Sequence, residues 1–432
     1  MHGASASADP RRRAVLTLAR VEARRAHAAR LLGDATPFLR ELVLGVLRWQ
    51  LLLDHLLAPH LRQPAATLDP EIRAALRVGL YEALRMDTPA PVAVAEAVRV
   101  ARSLVPAAAG LVNAVLRRAV AAGWREDDTA PLWLRRSHPP WLVERWATWL
   151  SAEQLDTVLE ANQRPAPLYL MAAVSPVEEL AGEGCEVAPH PYVAGVLKVV
   201  RNASAVAAWL KRGRGYAIDP HAAAVARLLP DVAGPIVDWA AAPGGKSLVL
   251  ASERPAACRV ALDRHLGRVL TMRETVKALA LAAPPAVVAG DGAVPPFKPA
   301  SLAAVLLDAP CSGTGTLRRH PEIRWRLTAS DLAGFAALQR RLLAAAAAAV
   351  RPGGYVLYAT CSLEPEENGQ VIGDVPLLEV VPVPQESLAR LPALPLPSGG
   401  VAILPGEWGD GFTVHLLRRP TAGPKAGATP TA

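Results

Sequence analysis

The first third of the chain has a helical pattern of apolar positions. Between residue 11 and about residue 122, Leu, Val and Ala recur at steps of three and four residues with arginines between them, and strand-like alternation is absent. This spacing puts the apolar side chains on one face of each helix, where they can pack together. Asp69-Pro70-Glu71 supplies an N-cap, a proline at the first helical position and an early acid, as at the start of a helix. We therefore predict an all-helical domain over residues 1–130.

The next part of the chain has a mixed pattern. Trp, Pro and charged residues are interspersed over residues 124–141, and short apolar runs follow at Leu168–Val174 and Val196–Val200. These features predict a connector and a small α+β module over residues 131–215.

From about residue 216, short apolar runs alternate with helical stretches. This alternation is typical of an α/β domain in which crossover helices join parallel strands. We predict such a domain over residues 216–420, followed by a disordered, low-complexity tail over residues 421–432. The candidate strands are Pro235–Ala240, Cys258–Asp263, Ala286–Asp291, Leu302–Asp308, Gly354–Cys361, Leu377–Val383 and Phe412–Leu417.

Composition and charge indicate which kinds of partner the protein can bind. The chain has 432 residues, enough for two or three domains, and 47 basic against 39 acidic residues give a net charge of +8. All but six of the basic residues are arginine, whose planar guanidinium suits phosphates and base edges, although genome composition can produce the same bias. The balance favours a polyanionic partner without establishing one.

Cysteine usage and apolar runs exclude several other classes. Cys185, Cys258, Cys311 and Cys361 include no CxxC pair, which excludes a disulfide scaffold and makes a metal site unexpected. The basic N-terminal run precedes too few apolar residues for a secretory signal, and the longest uncharged apolar stretch, Leu342–Val350, is too short to span a bilayer. We expect a monomeric cytoplasmic protein with neither a metal nor a membrane partner.

The loop after the first strand of the α/β domain has two interpretations. Residues 238–247 read DWAAAPGGKS, in which small residues let a ligand approach the backbone and a helix N-terminus offers free N–H groups to an anion. The stretch Ala240–Ser247 nearly fits the P-loop of an ATPase, in which Lys246 holds phosphates and Ser247 binds magnesium. Alternatively, the loop holds the methionine part of S-adenosylmethionine, whose carboxylate is the anion.

Acids at strand ends favour the second interpretation. Asp263 ends the next predicted strand, where a carboxylate can accept hydrogen bonds from both ribose hydroxyls. Asp291 closes the third predicted strand, near the expected adenine, and Asp308 closes the fourth. Ligands of a doubly wound sheet bind outside the carboxyl ends of its strands. One loop leaves both interpretations open, whereas three acids in this order favour the methyl donor.

Two cysteines follow predicted strands of the sheet. Cys311 lies in DAPCSGTG and Cys361 in ATCSL, so adjacent strands would bring both cysteines and Asp308 to one pocket. A lone cysteine is usually a small buried apolar residue, but two on polar loops at the ligand edge indicate chemistry. Methylation at carbon 5 of a pyrimidine needs a thiolate that adds to carbon 6, an acid that faces N3 and a second group that assists release.

The motifs together resemble a known family. DWAAAPGGKS, VALD, AGDG, LLDAPCSGTGTLRRHPEIRW and YATCSLEPEENGQVI are similar to those of the bacterial Sun/Fmu (RsmB) ribosomal RNA cytosine-5 methyltransferases of the Nop/Sun family. Residues 110–118 resemble their NusB-like RNA-binding domain, so the resemblance covers nearly the whole chain. It implies a Rossmann-like class I methyltransferase domain, an all-α NusB-like N-terminal domain and a small α+β connector module.

The resemblance also implies a role for each site residue. Cys361 is expected to be the nucleophile, Cys311 to assist product release, and Asp308 to face both the cytosine and the methyl donor. Alanine at position 240 replaces the family's usual cysteine, which is tolerable because backbone groups bind the ligand, and Ile218-Asp219 replaces the usual Gln-Asp. The residues expected around S-adenosylmethionine are Ala240, Ala241, Ala242, Pro243, Gly244, Gly245, Lys246, Asp263, Asp291 and Asp308.

Basic and aromatic positions are the candidates for RNA binding. Arg117 and Arg118 lie on a predicted helix of the N-terminal domain, and a second group follows the first cysteine loop, as in a channel for single-stranded RNA. Alternatively, the arginines are solvated surface positions and the aromatic packs beneath the loop. The second group comprises Arg318, Arg319, Arg324 and Trp325.

The sequence thus predicts an S-adenosyl-L-methionine-dependent 5-methylcytosine methyltransferase. The expected partner is RNA, either 16S rRNA or a small-subunit assembly intermediate, with the target cytosine unpaired or flipped out. The alternatives are a P-loop ATPase and a non-catalytic RNA-binding ribosome assembly factor. The intact cysteine pair argues against the second of these.

Overall fold

The computed structural model describes residues 9–24, 26–33, 35–123, 129–172, 177–254, 259–384, 386 and 388–421. The chain divides into two compact units. The helical unit comprises Met1–Pro165 with the later segment Leu317–Leu327, and the sheet unit comprises Ala166–Thr316 with Thr328–Ala432. The borders predicted at residues 130 and 215 differ from this division, because the helices after residue 131 group with the helical unit and the strands after residue 168 with the sheet unit.

Closely packed helices with apolar inner faces form the helical unit. Helix α4 begins at Pro70, as predicted, and Gly79 in its middle permits a close approach of α5 and α6. A Cβ atom at Gly79 would lie 2.7 Å from both Ala97 Cβ and Leu116 Cδ1, closer than carbon atoms can pack. Numbered along the whole chain, the helices of this unit are α1 (Pro10–Arg24), α2 (Ala28–Leu32), α3 (Pro37–Leu57), α4 (Pro70–Arg85), α5 (Ala90–Leu104), α6 (Ala109–Ala122), α7 (Leu132–Arg135), α8 (Pro140–Trp146), α9 (Ala152–Ala161) and α15 (Ile323–Arg326).

Helix α3 is the most apolar long helix of this unit. Together with the turn that continues it to His60, it is long and apolar enough by composition to cross a membrane. Half of its most apolar 18-residue window is buried, however, and Leu42, Val46 and Leu53 belong to the core of the unit. This is the packing of a core helix.

Hydrogen bonds to backbone carbonyls anchor the segment Leu317–Leu327 within the helical unit. Arg324 is 2% exposed, and its guanidinium donates to three carbonyl oxygens at 2.7–3.2 Å, those of Arg48, Ser137 and Asn162. The indole N–H of Trp325 donates to the carbonyl oxygen of Leu47 at 2.7 Å. Because burying a charged group is costly unless its donors are satisfied, these bonds give Arg324 a structural role.

A small antiparallel sheet opens the sheet unit. Its strand order is β2-β3-β1-β4, and the indole of Trp209 is fully buried in the cluster of apolar side chains that it shares with Leu170. The elements are β1 (Tyr169–Ala172), α10 (Val177–Gly182), β2 (Glu186–Pro189), β3 (Val196–Arg201), α11 (Ala203–Lys211) and β4 (Gly215–Ala217). The predicted α+β module is therefore present.

A second, larger sheet has the order β11-β12-β13-β9-β8-β5-β6-β7, with β10 paired to β13. Strands β5 to β9 are mutually parallel, whereas β10 to β13 pair antiparallel. The strands are β5 (Ile236–Trp239), β6 (Arg259–Asp263), β7 (Ala286–Ala289), β8 (Leu302–Asp308), β9 (Val350–Thr360), β10 (Glu379–Val381), β11 (Ala393–Pro395), β12 (Val401–Ile403) and β13 (Phe412–Arg418). The helices are α12 (Pro220–Arg227), α13 (Gly245–Glu253), α14 (Leu266–Leu279), α16 (Asp331–Ala349) and α17 (Gly369–Gly373).

The strand order reverses between β5 and β8. The chain continues outward from β5 to β6 and β7 on one side, and from β8 to β9 on the other. Such a reversal opens a crevice at the carboxyl ends of the two central strands, where ligands of this architecture bind. The fold therefore places the loop after Trp239 and the loop after Asp308 beside the same crevice.

The predicted fold class is confirmed: a helical N-terminal part, a small α+β module and a Rossmann-like sheet with crossover helices. The predicted strand that ends in Asp291 stops at Ala289, and the fifth strand begins at Val350 rather than Gly354. Strands β11 and β12 were missed because each has only three residues and gives no period to detect. Cys258 and the predicted tail after Thr421 lie outside the described residues.

Candidate active site

The loop between β5 and α13 turns tightly over small residues. Ala240 has a φ of +68° and Gly244 a φ of +105°, and the peptide bond between Ala242 and Pro243 is cis. A Cβ atom at Gly244 would lie 2.8 Å from the Met272 sulfur, so only glycine fits this turn. Helix α13 starts at the next residue, and the loop therefore presents backbone groups and a helix N-terminus to the crevice.

Asp238 and Ser247 form a buried pair behind this loop. Asp238 is 3% exposed, and the Ser247 hydroxyl hydrogen-bonds to its Oδ2 atom. Burial raises the pKa of Asp238 to about 7, although the hydrogen bond from Ser247 lowers it and Asp308 adds to the rise. The Ser247 hydroxyl donates its hydrogen bond to the buried Asp238 carboxyl group. It is therefore not directed toward a magnesium site, as the corresponding hydroxyl of a P-loop would be.

Lys246 pairs with Asp308 at the carboxyl end of β8. The Lys246 Nζ atom lies 2.7 Å from Asp308 Oδ2 and 4.8 Å from the centre of the Phe412 ring, a contact that the sequence did not suggest. Burial lowers the pKa of Lys246, but Asp308, Asp238 and Cys361 together raise it above the usual value of lysine. The ammonium group therefore stays charged and neutralises the strand-end acid, which argues against a phosphate-binding role.

Asp263 and Asp291 lie at the ends of the next two strands. Asp263 is buried, its Oδ2 accepting the N–H of Ala242 at 3.1 Å and its Oδ1 that of His265 at 2.8 Å. Asp291 is exposed and accepts the N–H of Ala293 at 2.9 Å. Carboxylate oxygens accept more than one hydrogen bond, so both acids retain acceptor capacity for hydroxyl and amino groups. The loop, its helix N-terminus and these acids fit a methyl donor that carries a carboxylate, a ribose and an adenine.

The two cysteines meet at the carboxyl ends of β8 and β9. In the register of these parallel strands Asp308 is opposite Ala359, and the sulfur atoms of Cys311 and Cys361 are 3.3 Å apart. A hydrogen bond with Cys361 and burial raise the pKa of the Cys311 thiol well above its usual value, and the carboxylates of Glu367 and Asp308 add to the rise. The structure thus brings together Cys311, Cys361, Asp308 and Lys246, four of the residues predicted for the site.

Sequence reasoning missed a buried polar cluster behind the cysteines. Glu367, in the stretch EPEEN, is completely buried and accepts hydrogen bonds from both serines that follow the cysteines, Ser312 and Ser362. Gln339 on α16 is also completely buried and donates to the same carboxylate. The sequence shows an acid seven residues after the end of β9, but nothing in it indicates which way the side chain turns.

The candidate RNA-binding residues differ in how far their side chains are exposed. Arg117 and Arg118 are exposed on α6, and Arg319 is partly exposed. Arg318 and Arg324 are each 2% exposed, and Trp325 is half-buried with its N–H bonded to the backbone. Buried guanidinium groups cannot reach a phosphate backbone, so the burial of Arg318 and Arg324 does not support them as RNA-binding residues, and the three carbonyl bonds of Arg324 give it a structural role.

A cavity of about 440 Å³ borders the same loop on another side. Pro243 and Gly245 line it, together with Tyr216, Glu274 and Thr275. Its lining includes neither the cysteines nor the strand-end acids. The cavity is therefore separate from the cluster of reactive groups.

Known protein families match both the N-terminal helices and the α/β domain of this chain. Residues 225–380 match the family described as 16S rRNA methyltransferase RsmB/F, and residues 8–121 match the NusB family. The chain is 33% identical over 413 residues to the ribosomal RNA small subunit methyltransferase B of Pasteurella multocida, covering 89% of this chain and 88% of that protein. The protein of the same name from Klebsiella pneumoniae subsp. pneumoniae is 34% identical, with coverage of 88% and 90%. The crystal structure of PH0851 has a TM-score of 0.75 at 25% identity, with coverage of 96% and 100%.

The sulfur separation generates a prediction about oxidation. Treatment with diamide, which removes two hydrogen atoms from a thiol pair, should link Cys311 to Cys361, because a shift of about 1.3 Å brings 3.3 Å to bonding distance. Mass spectrometry should find the linked peptides and a loss of two hydrogens that dithiothreitol reverses. Cys311→Ser is the control and should prevent the link. A wild-type protein that forms no such link under diamide would contradict the placement of the cysteines.

Proposed function

The chain belongs to the ribosomal RNA small subunit methyltransferase B family, and from this premise we propose that it methylates carbon 5 of a cytosine in 16S rRNA with S-adenosylmethionine as the methyl donor. The observation that carries the proposal is the 3.3 Å separation of two sulfur atoms next to a paired carboxylate and ammonium. Methylation of an amino group or an oxygen atom has no use for two thiols. Methylation at carbon 5 of a pyrimidine needs one thiol as nucleophile and a second acid or base for release, a role that the other thiol suits.

Cys361 is the nucleophile of the proposed reaction. Carbon 5 of cytosine is too electron-poor to attack a methyl group directly, and addition of the Cys361 thiolate to carbon 6 turns the ring into an enamine. A sulfur–carbon bond forms, the electron pair of the C5–C6 double bond moves toward C5, and N3, which gains negative charge, takes up the proton that the Cys361 thiol has lost. No hydrogen bond to Asp308 Oδ1 is found among the described residues, so this oxygen can face N3 of the cytosine.

The loop and the strand-end acids are assigned to the methyl donor. S-adenosylmethionine, when bound, supplies a methyl group made electrophilic by its positively charged sulfur. The backbone of Ala240–Gly245 and the start of α13 are suited to its carboxylate, and Asp263 and Asp291 to its ribose and adenine. The ion pair with Lys246 orients the Asp308 carboxyl group beside the base.

Cys311 is assigned to product release. After methyl transfer, the hydrogen on carbon 5 leaves as a proton, the bond between sulfur and carbon 6 breaks, and the electron pair of that bond returns to Cys361. Cys311 lies 3.3 Å from the sulfur that must depart. Its raised pKa keeps Cys311 protonated until it gives this proton to the departing Cys361 sulfur, and the Cys311 thiolate that results is a strong base for the proton from carbon 5.

RNA is the proposed partner, as naked 16S rRNA or within an assembling small subunit. The helical unit matches the NusB family, and Arg117 and Arg118 are exposed on one of its helices, where they can contact phosphates. The active site must receive a cytosine that is unpaired or flipped, since a stacked base is closed to both a thiolate and a methyl donor. A monomeric state and a cytoplasmic location belong to the same proposal.

Replacing the nucleophile tests the proposal directly. Cys361→Ala should lower incorporation of radiolabelled methyl groups into 16S rRNA at least about 10³-fold, because no other group forms the enamine. Calorimetry should find an affinity for S-adenosylmethionine within about threefold of wild type. Substantial methylation by a folded Cys361→Ala protein would remove the assignment.

Replacing the release group should trap the reaction. Cys311→Ser should accumulate a covalent complex between the protein and RNA, because the adduct forms but is not resolved. A slowly migrating band on denaturing gels detects it, and the double variant Cys311→Ser with Cys361→Ala should show no band. A Cys311→Ser protein that turns over freely would contradict the release role.

Charge reversal on α6 should weaken RNA binding. Arg117→Glu with Arg118→Glu should flatten the slope of log affinity against log salt by roughly 1 to 2, because about 0.7 is lost per phosphate contact. The matched control is Arg40→Glu with Arg62→Glu, two exposed positions of the same unit that are not among the candidates. An unchanged slope in the α6 variant would rule out phosphate contacts there.

A further inference from the structure

One fully buried carboxylate joins the two cysteine loops from behind. Glu367 lies in the short turn that follows β9 and has no exposed surface. Its Oε2 atom accepts the backbone N–H of Ser312 at 2.8 Å and the side-chain amide of Gln339 at 3.0 Å. Its Oε1 atom accepts the hydroxyl of Ser362 at 2.6 Å and also that of Ser312. Four donors therefore hydrogen-bond to a carboxyl group that has no exposed surface.

These bonds fix the backbone on both sides of Cys311. Ser312 directly follows Cys311, and its N–H is held by Glu367. The carbonyl oxygen of Pro310, directly before Cys311, accepts a second bond from Gln339 at 2.9 Å. Because Gln339 also donates to Glu367, one connected network brackets the cysteine.

The same carboxylate reaches the loop of Cys361. Ser362 directly follows Cys361, and its hydroxyl lies 3.1 Å from that of Ser312, so both hydroxyls meet at one carboxylate oxygen. The carbonyl oxygen of Cys361 accepts the N–H of Gly315, a further link between the two loops at 2.9 Å. Glu367 is thus the point at which the positions of the two sulfur atoms are coupled.

Glu367 affects the cysteines through its charge in addition to its hydrogen bonds. Its negative charge is among the causes that raise the pKa of Cys311, after the hydrogen bond with Cys361 and burial. A carboxylate next to Cys311 disfavours a second negative charge there, so Cys311 keeps its proton and can donate it to the Cys361 sulfur. The hydrogen bonds of Glu367 hold the two thiols next to each other, and its charge favours the protonated form of Cys311. Both effects therefore help to give two chemically identical side chains different roles.

We propose that Glu367 is the positioning residue of the cysteine pair, which holds the nucleophile and the release group at their working separation and keeps them in different roles. It does not touch the substrate and acts only through the serines, Gln339 and Cys311. The proposal rests on the proposed cytosine-5 methylation for its catalytic consequence. Its effect on the cysteines themselves does not depend on that reaction.

Three variants separate charge, geometry and a merely structural role. Glu367→Gln keeps the size but removes the charge and half of the acceptors, and Glu367→Asp keeps the charge but is one methylene shorter. Glu366→Gln is the matched control, because it removes the neighbouring carboxylate in the same turn, where the side chain is only half-buried. Each is measured by single-turnover methylation, by binding of S-adenosylmethionine, and by the pH dependence of Cys311 alkylation with iodoacetamide, mapped by mass spectrometry.

The expected results differ among the variants. Glu367→Gln should methylate about 100-fold more slowly with donor affinity within about threefold of wild type, because small displacements of reacting groups have effects of this size. Its Cys311 alkylation midpoint should fall by about one pH unit, since loss of a nearby negative charge stabilises the thiolate. Glu367→Asp should also methylate slowly but shift the midpoint less, and Glu366→Gln should match wild type in all three measurements.

Other outcomes would contradict either the positioning role of Glu367 or the cytosine-5 methylation on which its catalytic consequence rests. Wild-type methylation together with an unmoved Cys311 midpoint in Glu367→Gln would overturn it. A wild-type protein that methylates no cytosine, while the midpoint still shifts in Glu367→Gln, would refute the proposed function and support the coupling of the cysteines. If Glu367→Gln does not fold, Ser312→Ala and Ser362→Ala each remove one donor, and each should slow methylation about tenfold. Wild-type rates in both serine variants would overturn the positioning role.

Discussion

The parallel pairing of β8 with β9 is the constraint on which the site depends. Because both strands run in the same direction, the loops after Asp308 and Thr360 leave at the same edge of the sheet and side by side. Two cysteines separated by 50 positions in the sequence then lie with their sulfur atoms 3.3 Å apart. An antiparallel pairing would have put these loops at opposite ends of the sheet. The crossover that contains α16 makes this parallel pairing possible and so brings the two cysteine loops together.

Buried charges in the crevice are balanced locally. Lys246 neutralises Asp308. Burial raises the pKa of Asp238 to about 7, and the hydrogen bond from the Ser247 hydroxyl and the charge of Lys246 partly offset this rise. The donors to the Glu367 carboxyl group within the described part of the chain are all neutral. This arrangement puts the Glu367 carboxylate behind Cys311 and a paired ammonium and carboxylate at the carboxyl end of β8.

The number of arginines in the sequence is larger than the number that can contact a nucleic acid, because several of them are buried. Arg324 is bonded to three backbone carbonyls inside the helical unit, and Arg77 pairs with Asp54 and Glu22 there. A guanidinium with several donors in one plane can join backbone segments that a lysine could not, so these arginines stabilise the helical unit. Arg117 and Arg118 remain exposed, and they carry the RNA-binding expectation for the part of the chain that the structure describes.

The sequence alone determined the class of fold, the strands that border the crevice and the candidates for the reactive groups. Apolar runs of strand length, acids at their ends and two Cys-Ser pairs are local features, and β5, β6, β8 and β9 were located from them to within a few residues. Only the tertiary structure decided that Glu367 turns inward to both loops, that Lys246 pairs with Asp308 and that Arg324 is buried. These outcomes depend on which distant residue lies within hydrogen-bond distance of a side chain. A pattern along the chain records what a residue can donate or accept, but its partner is fixed only when the strands and helices pack.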